Sequence, residues 1–165
     1  MINSVALIGN PNCGKTTLFN ALTGTHQKVG NFAGVTVEKK EGVYKKDKSL
    51  VITDLPGLYS LSALSADERA VLSYLKKTPP QAIINIVDGT NLERNLYLTC
   101  ELCRLKIPLV IAVNFCDDLD KNGIALDTAR LSETFGVPVV KISAKKGINL
   151  QELISATRAR ATIPK

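Results

Sequence analysis

The fold of this 165-residue chain is decided by Gly9-Asn10-Pro11-Asn12-Cys13-Gly14-Lys15-Thr16-Thr17, a stretch that directly follows the apolar run Val5-Ala6-Leu7-Ile8. A glycine, four residues and then Gly-Lys-Thr is the spacing of a phosphate-binding loop between a strand and a helix. The glycines let backbone N–H groups face one anion, and Lys15 brings a positive charge to the β- and γ-phosphates. The Thr16 hydroxyl is a ligand for Mg²⁺. Residues 9–17, called the phosphate loop below, therefore predict a nucleotide site.

Composition and charge favour one soluble domain that binds an anion. The chain is 45% hydrophobic and 22% charged, which is typical of a globular protein of this length. Its formal net charge of +6 suits an anionic ligand, but the lysines are scattered without aromatic residues between them, so no nucleic acid is expected as a partner. No apolar run is long enough to span a bilayer, and the N-terminus has no signal-peptide pattern.

The four cysteines are expected to be free thiols, because the chain looks intracellular. The pair Cys100-x-x-Cys103 falls inside a predicted helix and has no second pair to complete a metal site. We therefore interpret it as helix packing. The remaining two cysteines are Cys13 and Cys116.

Hydrophobic periodicity alternates between strands and helices along the chain. This alternation predicts an α/β fold whose sheet has six strands, mostly parallel, with one antiparallel edge strand and helices on both faces. Residues 25–35 show neither periodicity and predict a mobile loop. The predicted strands are 3–8, 38–44, 50–53, 82–87, 108–113 and 137–142, and the predicted helices are 15–22, 66–77, 92–105, 126–135 and a last one from Leu150.

Each further candidate motif follows a predicted strand, and ligands of parallel sheets sit beyond the carboxyl ends of the strands. In Asp54-Leu55-Pro56-Gly57, the carboxylate can reach Mg²⁺ through a water, and the Gly57 N–H can approach a γ-phosphate.

The base is predicted to be guanine. In Asn114-Phe115-Cys116-Asp117, the Asp117 carboxylate can accept hydrogen bonds from N1 and N2 of guanine, an edge that adenine lacks. Asn114 would tie this segment to the phosphate loop. In Ser143-Ala144-Lys145, the Ala144 N–H would meet the guanine O6. ATP is disfavoured, because the polar edge of its base would be left unpaired.

Four longer stretches that contain or extend these motifs resemble a translation-factor-class GTPase with a Ras-like fold, and most closely the N-terminal G domain of the bacterial ferrous-iron transporter FeoB. The stretches that carry the resemblance are the phosphate loop extended to Asn20, Val29-Gly-Asn-Phe-Ala-Gly-Val-Thr-Val-Glu38, Asp54-Leu-Pro-Gly-Leu-Tyr-Ser-Leu61 and Val87-Asp-Gly-Thr-Asn-Leu-Glu-Arg-Asn-Leu-Tyr-Leu98.

The resemblance implies hydrolysis of GTP to GDP and phosphate, with catalytic roles for Asn12, Lys15, Thr36 and Gly57. Thr36 would bind Mg²⁺ and the γ-phosphate in a switch loop that includes Gly34 and Val35. Leu58 stands where Ras-like enzymes keep a water-orienting glutamine. Asn12 resembles the asparagine of potassium-activated GTPases, and its role as a K⁺ ligand would be shared with the Gly30-Asn31 backbone. The alternative is that its amide only braces the loop.

The resemblance also implies a domain order. Residues 1–165 would be the G domain on the cytoplasmic side of a bacterial inner-membrane protein, followed in the family by a helical domain and a membrane permease. The alternative is a stand-alone, Era-like nucleotide-sensing switch that acts on RNA or the ribosome.

Some other side chains invite a chemical role. The Cys13 thiol is either made acidic by Lys15 and nearby N–H groups, hence open to oxidation, or a small space-filler, and the second interpretation is favoured. Glu38 and Glu68 are interpreted as solvated or bonded to backbone, Asp88 as structural, and His26 as an exposed loop residue.

Overall fold

The computed structural model describes residues 2–25 and 27–162, so the interpretation of His26 lies outside the described residues. The strands are β1 (Ser4–Gly9), β2 (Gln27–Asn31), β3 (Glu38–Tyr44), β4 (Asp47–Asp54), β5 (Ala82–Asp88), β6 (Leu109–Asn114) and β7 (Val139–Lys141). The helices are α1 (Lys15–Thr23), α2 (Ala66–Lys77), α3 (Leu92–Cys103), α4 (Cys116–Lys121), α5 (Thr128–Phe135) and α6 (Leu150–Ala161), with a 3₁₀ turn at Gly89–Asn91.

One sheet holds these strands in the order β2-β3-β4-β1-β5-β6-β7. Strands β4, β1, β5, β6 and β7 are parallel, whereas β3 runs antiparallel to both β2 and β4. The predicted α/β class with a mostly parallel sheet is confirmed. The predicted count of six strands is wrong, because β2 makes a seventh and extends the antiparallel edge.

Strand β2 is the element that the sequence did not indicate, and the prediction of a mobile loop over 25–35 is wrong for its residues. It pairs with β3 from Gln27 opposite Gly42 to Asn31 opposite Glu38. Four of its five residues are exposed, so no face has to be apolar and no period-two pattern appears. Backbone pairing with β3, a tertiary contact, creates this strand.

Two apolar layers cover the two faces of the sheet, because side chains alternate along each buried strand. On one face, Val5 and Leu7 of β1 pack with α1 and α6 residues such as Phe19 and Leu153. On the other face, Ala6 and Ile8 pack with residues of α2 and α3. This core fixes the carboxyl ends of β1, β4, β5 and β6 along one edge of the molecule.

Helix α4 was not predicted, and the other boundaries differ from the predictions by a few residues. Its sequence Cys-Asp-Asp-Leu-Asp-Lys buries only Cys116 and Leu119, which is too short a pattern to indicate a helix. Within the described residues, no helix is both long and apolar enough to cross a membrane.

Candidate nucleotide-binding site

A groove of about 650 Å³ runs along the carboxyl edge of the sheet. It joins the phosphate loop to the segments that follow β4, β6 and β7. Motifs separated by more than a hundred residues in sequence therefore line one surface. The lining residues are Asn10, Pro11, Asn12, Gly14, Lys15, Thr16, Thr17, Gly57, Asn114, Phe115, Ala144 and Lys145.

The backbone of the phosphate loop adopts left-handed conformations, which glycine and asparagine tolerate better than other residues. Asn12 and Gly14 have φ angles of 65° and 91°, in the left-handed region. A Cβ on Gly14 would lie 2.1 Å from Asn114 Nδ2, and a Cβ on Gly9 would lie 2.6 Å from both Cys13 Sγ and the Ile86 carbonyl. Close packing therefore requires both motif glycines, and the left-handed backbone conformation also requires glycine at position 14.

Asn114 joins the phosphate loop to the segment after β7. Its Nδ2 donates to the Cys13 carbonyl at 3.0 Å, and its Oδ1 accepts the Ala144 N–H at 3.0 Å. The side chain is buried, so both hydrogen bonds are shielded from water. The predicted tie to the phosphate loop is present. The Ala144 N–H was expected to donate to the guanine O6, but it already donates to Asn114 Oδ1. To bind guanine, it would have to donate to both oxygens or exchange Asn114 Oδ1 for O6.

Asp117 lies on the first turn of α4, two residues after Phe115, which lines the groove. Partial burial raises the pKa of its carboxyl, but hydrogen bonding from the Ser143 hydroxyl, the Asp117 N–H and Lys146 outweighs burial and lowers the pKa below its ordinary value. Lys146 Nζ lies 3.5 Å from Asp117 Oδ2. The carboxylate is therefore held in its charged, accepting form. Sequence reasoning named Lys145 in this segment but missed Lys146.

Lys15, which lines the groove, forms an ion pair with Asp54. Both side chains are at least nine-tenths buried, so each charge depends on the other for compensation. Beside the pair lies a second cavity of about 420 Å³, lined by Thr16, Thr36, Asp54 and other residues. The oxygen donors predicted for Mg²⁺ thus lie around one space. The hydroxyls and carboxylate are ligands that Mg²⁺ prefers.

The switch loop between β2 and β3 carries Gly34, Val35 and Thr36, all of them exposed. Its two ends are fixed, because the Phe32 N–H donates to the Val37 carbonyl at 2.9 Å and both side chains are buried. The Phe32 ring packs edge-on against Tyr74 of α2, with centroids 5.6 Å apart. Only the tip of the loop is left open to solvent.

The segment after β4 packs directly on the phosphate loop. A Cβ on Gly57 would lie 3.1 Å from Pro11 Cα, and the Leu58 N–H donates to the Gly9 carbonyl at 3.0 Å. The Leu58 side chain is buried in the apolar layer under α2 and α3. It neither reaches the groove nor carries a group that could orient water.

The two central residues of the phosphate loop have different environments. Asn12 is exposed, and its amide has no hydrogen bond with the described residues, so bracing of the loop is not observed. Cys13 is 1% exposed, and burial raises the pKa of its thiol to about 11 in spite of the lowering effect of Lys15. Cys13 is therefore a neutral space-filler, and the acidic-thiol hypothesis is not supported.

Three acidic residues considered in the sequence have structural partners. The Glu68 carboxylate in the first turn of α2 accepts the Leu64 N–H at 3.0 Å, and Asp88 accepts the Thr90 N–H at 2.8 Å. Glu38 is exposed and lies 3.8 Å from Lys40. One acid was missed: Glu101 of α3 accepts the Leu61 N–H, with 3.1 Å to the nearer oxygen. A helical glutamate carries no sequence signal for such a long-range contact.

The cysteine pair of α3 does not form a metal site. Within the described part of the chain, all four cysteines are free, and no group of three His, Cys, Asp or Glu side chains is placed to hold a metal. Cys103 packs against the apolar layer, as interpreted, and Cys100 is exposed.

Comparison with known proteins gives the family. The family model FeoB_N, described as Ferrous iron transport protein B, matches residues 3–157. The chain belongs to the FeoB_N family. It is 49% identical to an Fe(2+) transport protein A/Fe(2+) transporter FeoB fusion protein of Porphyromonas gingivalis, over 90% of this chain and 18% of the relative. It is 46% identical to the Fe(2+) transporter FeoB of Salmonella typhimurium, over 91% of this chain and 20% of the relative. The chain thus spans about a fifth of these FeoB proteins.

Solved FeoB structures have the same fold. A mutant of S. thermophilus NFeoB bound to mGDP superposes with a TM-score of 0.94 at 46% identity, over 100% of this chain and 64% of that one. A second point mutant of S. thermophilus NFeoB, bound to GDP, superposes with a TM-score of 0.93 at 46% identity, over 99% of this chain and 65% of that one. The same point mutant bound to GDP.AlF4- superposes with a TM-score of 0.86 at 47% identity, over 97% of this chain and 65% of that one. This FeoB_N chain has the G-domain fold, which confirms the fold expected from the resemblance.

Proposed function

We propose that this chain is the G domain of a ferrous-iron transporter and that it binds guanine nucleotides and hydrolyses GTP to GDP and phosphate. One observation carries the proposal: a single groove is lined by the phosphate loop together with Phe115 and Lys145 of the two base-recognition segments, and the buried Asn114 bridge joins these parts. The GDP complexes of its FeoB relatives support the same conclusion.

Guanine is selected by the charged state of Asp117. A carboxylate accepts two N–H groups and donates none, so it matches N1 and N2 of guanine and repels the N1 acceptor of adenine. Phe115 and Lys145 line the groove beside it and offer surface to the base. The Lys145 N–H, adjacent to that of Ala144, is a second donor for O6.

The phosphates lie on the loop of residues 9–17, with Lys15 over the β- and γ-phosphates. When a nucleotide binds, Lys15 has to break its ion pair with Asp54 and bind phosphate oxygens instead. The Asp54 carboxylate is then free to face the second cavity, which Thr16 and Thr36 also line. Thr16, Thr36 and Asp54 would hold Mg²⁺ there, directly or through water. When bound, Mg²⁺ supplies charge neutralisation to the β- and γ-phosphate oxygens.

Hydrolysis then depends on positioning and charge, because phosphoryl transfer requires little covalent chemistry from the protein. The Gly57 N–H binds the γ-phosphate and Thr36 closes over it. Leu58 is buried, and the Glu68 carboxylate already accepts the Leu64 N–H, so neither side chain serves as a base or orients the attacking water.

Potassium fits the free amide of Asn12. The oxygen of this exposed side chain is available at the surface of the phosphate loop. A K⁺ ion there would add positive charge beside the β- and γ-phosphates. The carbonyls of Gly30 and Asn31, the other proposed ligands, belong to β2, so only those on its outer edge can take part without breaking the pairing with β3.

In the whole protein, the partners of this domain are the helical and membrane permease domains, and the domain faces the cytoplasm. The lengths of the FeoB relatives support further domains. The alternative of an RNA-docking switch is disfavoured by the family and by charge, since the switch-region lysines Lys39 and Lys40 are paired with Glu41 and Glu38.

The decisive test is turnover of GTP and ATP by the 165-residue chain, measured as phosphate release in potassium and in sodium chloride of equal ionic strength. GTP should be hydrolysed, faster in potassium, and ATP should not. Asn12→Ala should lose the difference between the two salts while it still binds GDP. The matched control is Asn122→Ala, a change at another exposed asparagine, one that does not line the groove.

Equal turnover of ATP and GTP would contradict the assignment of Asp117. Equal rates in both salts for the wild type and for Asn12→Ala would remove the potassium role and leave the GTPase assignment in place.

A further inference from the structure

Asn10 of the phosphate loop is a buried polar side chain with no partner. It is 4% exposed, and neither its Oδ1 nor its Nδ2 forms a hydrogen bond with any described residue. The three other buried asparagines, Asn85, Asn95 and Asn114, each have both amide atoms paired. Asn10 is therefore an exception within the described part of this chain.

An unpaired buried amide disfavours the arrangement that contains it. Buried polar groups are satisfied in the great majority of cases, and each exception raises the free energy of the folded state. An apolar residue of similar shape would avoid this penalty. The presence of an asparagine therefore indicates a second arrangement in which the amide has partners.

The neighbours of Asn10 show which contact has to change. Gly9 and Pro11, on either side of it, are the residues that contact the segment after β4. The Gly9 carbonyl accepts the Leu58 N–H, and the Pro11 backbone lies against Gly57. The segment of Gly57 and Leu58 thus contacts the chain on both sides of Asn10, so a shift of this segment changes the surroundings of the unpaired amide.

We propose that Asn10 is a positioning residue for Gly57: its unpaired amide destabilises the packed arrangement of Gly57 and Leu58 and so favours the arrangement in which Gly57 contacts the γ-phosphate of GTP. In that second arrangement, the amide gains hydrogen bonds from the segment that has moved or from water. This inference rests on the proposed function, since it assigns Asn10 to the response of the same site to GTP.

A structural role for Asn10 leads to a different expectation. If the amide stabilised the loop, its removal would lower the stability of the nucleotide-free protein and weaken GTP and GDP binding together. If it destabilises the packed arrangement, its removal raises that stability and weakens binding of the GTP form alone. Stability and the ratio of the two affinities therefore separate the roles.

The experiment uses Asn10→Leu, which keeps the branched shape without polar atoms, and Asn10→Ala, which adds no atoms in case leucine does not fit. Two quantities are measured: the midpoint of urea unfolding without nucleotide, and the dissociation constants of GDP and of a non-hydrolysable GTP analogue. We expect the midpoint of Asn10→Leu to rise. For both variants, the affinity for the GTP analogue relative to GDP should fall roughly tenfold.

The matched control is Asn85→Leu, at a buried asparagine whose Nδ2 donates to the Ile8 carbonyl at 3.1 Å and whose Oδ1 accepts the Thr99 hydroxyl at 2.5 Å. Its unfolding midpoint should fall, because paired groups lose their partners. An Asn10→Leu midpoint that falls in the same way would overturn the inference.

An unchanged affinity ratio in both Asn10 variants, with normal binding by the wild type, would also overturn the inference while leaving the proposed function intact. If the wild type bound neither nucleotide, the proposed function would fail and the inference with it. The two failures are therefore distinguishable.

Discussion

Asn114 joins two loops of the groove that are distant in sequence. One planar amide, with a donor and an acceptor on the same side chain, bonds two loops that are 101 and 30 residues away in sequence. An apolar side chain has neither a donor nor an acceptor, so it cannot replace either hydrogen bond. The geometry of the site therefore depends on this residue before any ligand is present.

Replacing Asn114 by alanine should destabilise the nucleotide-free chain. The Cys13 carbonyl and the Ala144 N–H lose their partner in a buried place, at a cost of about 1–3 kcal/mol for each group left unsatisfied. Urea unfolding at neutral pH measures the change. Asn122→Ala, on the surface, is the control and should be neutral, and equal stability of the two variants would show that water replaces both bonds.

The Cys13 thiol gives a pH dependence at the residue scale. Burial raises its pKa from an ordinary 9.0 to about 11 in the folded chain. From pH 9 upward, the thiol ionises in the unfolded chain but stays protonated in the folded chain. The contribution of this thiol to the free energy of unfolding is therefore fully present below pH 9 and is lost between pH 9 and 11. The loss should be about 2–3 kcal/mol for this one group.

The measurement compares urea unfolding of the wild type and Cys13→Ala at pH 8 and pH 11, because lysines and tyrosines titrate in both proteins and cancel in the difference. Cys100→Ala, which removes an exposed thiol, should behave like the wild type. A difference between the wild type and Cys13→Ala that stays constant with pH would contradict the raised pKa.

At the scale of elements, the segment between Gly57 and α2 is held on the surface of α3. The Glu101 carboxylate accepts the Leu61 N–H with both oxygens, at 3.1 and 3.3 Å, and the Arg94 guanidinium lies 4.4 Å from the centre of the Tyr59 ring. Residues 58–64 have no regular secondary structure, so these side chains supply contacts that a strand or helix would otherwise make.

Removing the Glu101 carboxylate should loosen this segment and leave the sheet unchanged. In Glu101→Ala, we expect the amides of residues 58–64 to exchange hydrogen about tenfold faster, since one charge-assisted bond of about 1.5 kcal/mol is lost. Hydrogen exchange followed by mass spectrometry measures this. The control is Cys100→Ala, at an exposed residue of the same helix that does not line the surface pocket of Tyr59 and Ser60, and faster exchange in that variant as well would assign the effect to helix stability.

At the scale of the whole molecule, the groove is an assembly of the segments that follow four parallel strands, β1, β4, β6 and β7. The two apolar layers fix the strands, and the loops take their relative positions from them. A ligand that contacts both ends of the groove therefore stabilises the complete fold. Binding to the folded state alone raises the free energy of unfolding by mass action.

GDP with Mg²⁺ at a hundred times its dissociation constant should raise the free energy of unfolding by about 2.7 kcal/mol, which corresponds to a rise in Tm of about 5–10 °C for a chain of this length. ADP at the same concentration should give no shift, because Asp117 does not match adenine. Thermal unfolding followed by circular dichroism checks both. Equal shifts with GDP and ADP would mean that the phosphates alone provide the binding.

Several features of the fold follow from the sequence because they depend on local patterns. The phosphate loop has its glycines at positions where a Cβ would collide, and the buried strands β1, β5 and β6 are continuous apolar runs. The order of the motifs after these strands predicted that Asn114 contacts the phosphate loop. Strand β2 and helix α4 escaped prediction because few of their side chains are buried, so hydrophobic selection left no pattern.

The sequence by itself determined the family, the fold class and the residue types at both ends of the groove, since spacing of glycine, lysine and post-strand polar residues is a local property. Only the tertiary structure decided that Cys13 is a neutral space-filler, that Lys15 pairs with Asp54 and that the Asn10 amide is buried without a partner. The physical reason is that pKa values, ion pairs and hydrogen-bond satisfaction depend on burial and on neighbours brought from distant parts of the chain.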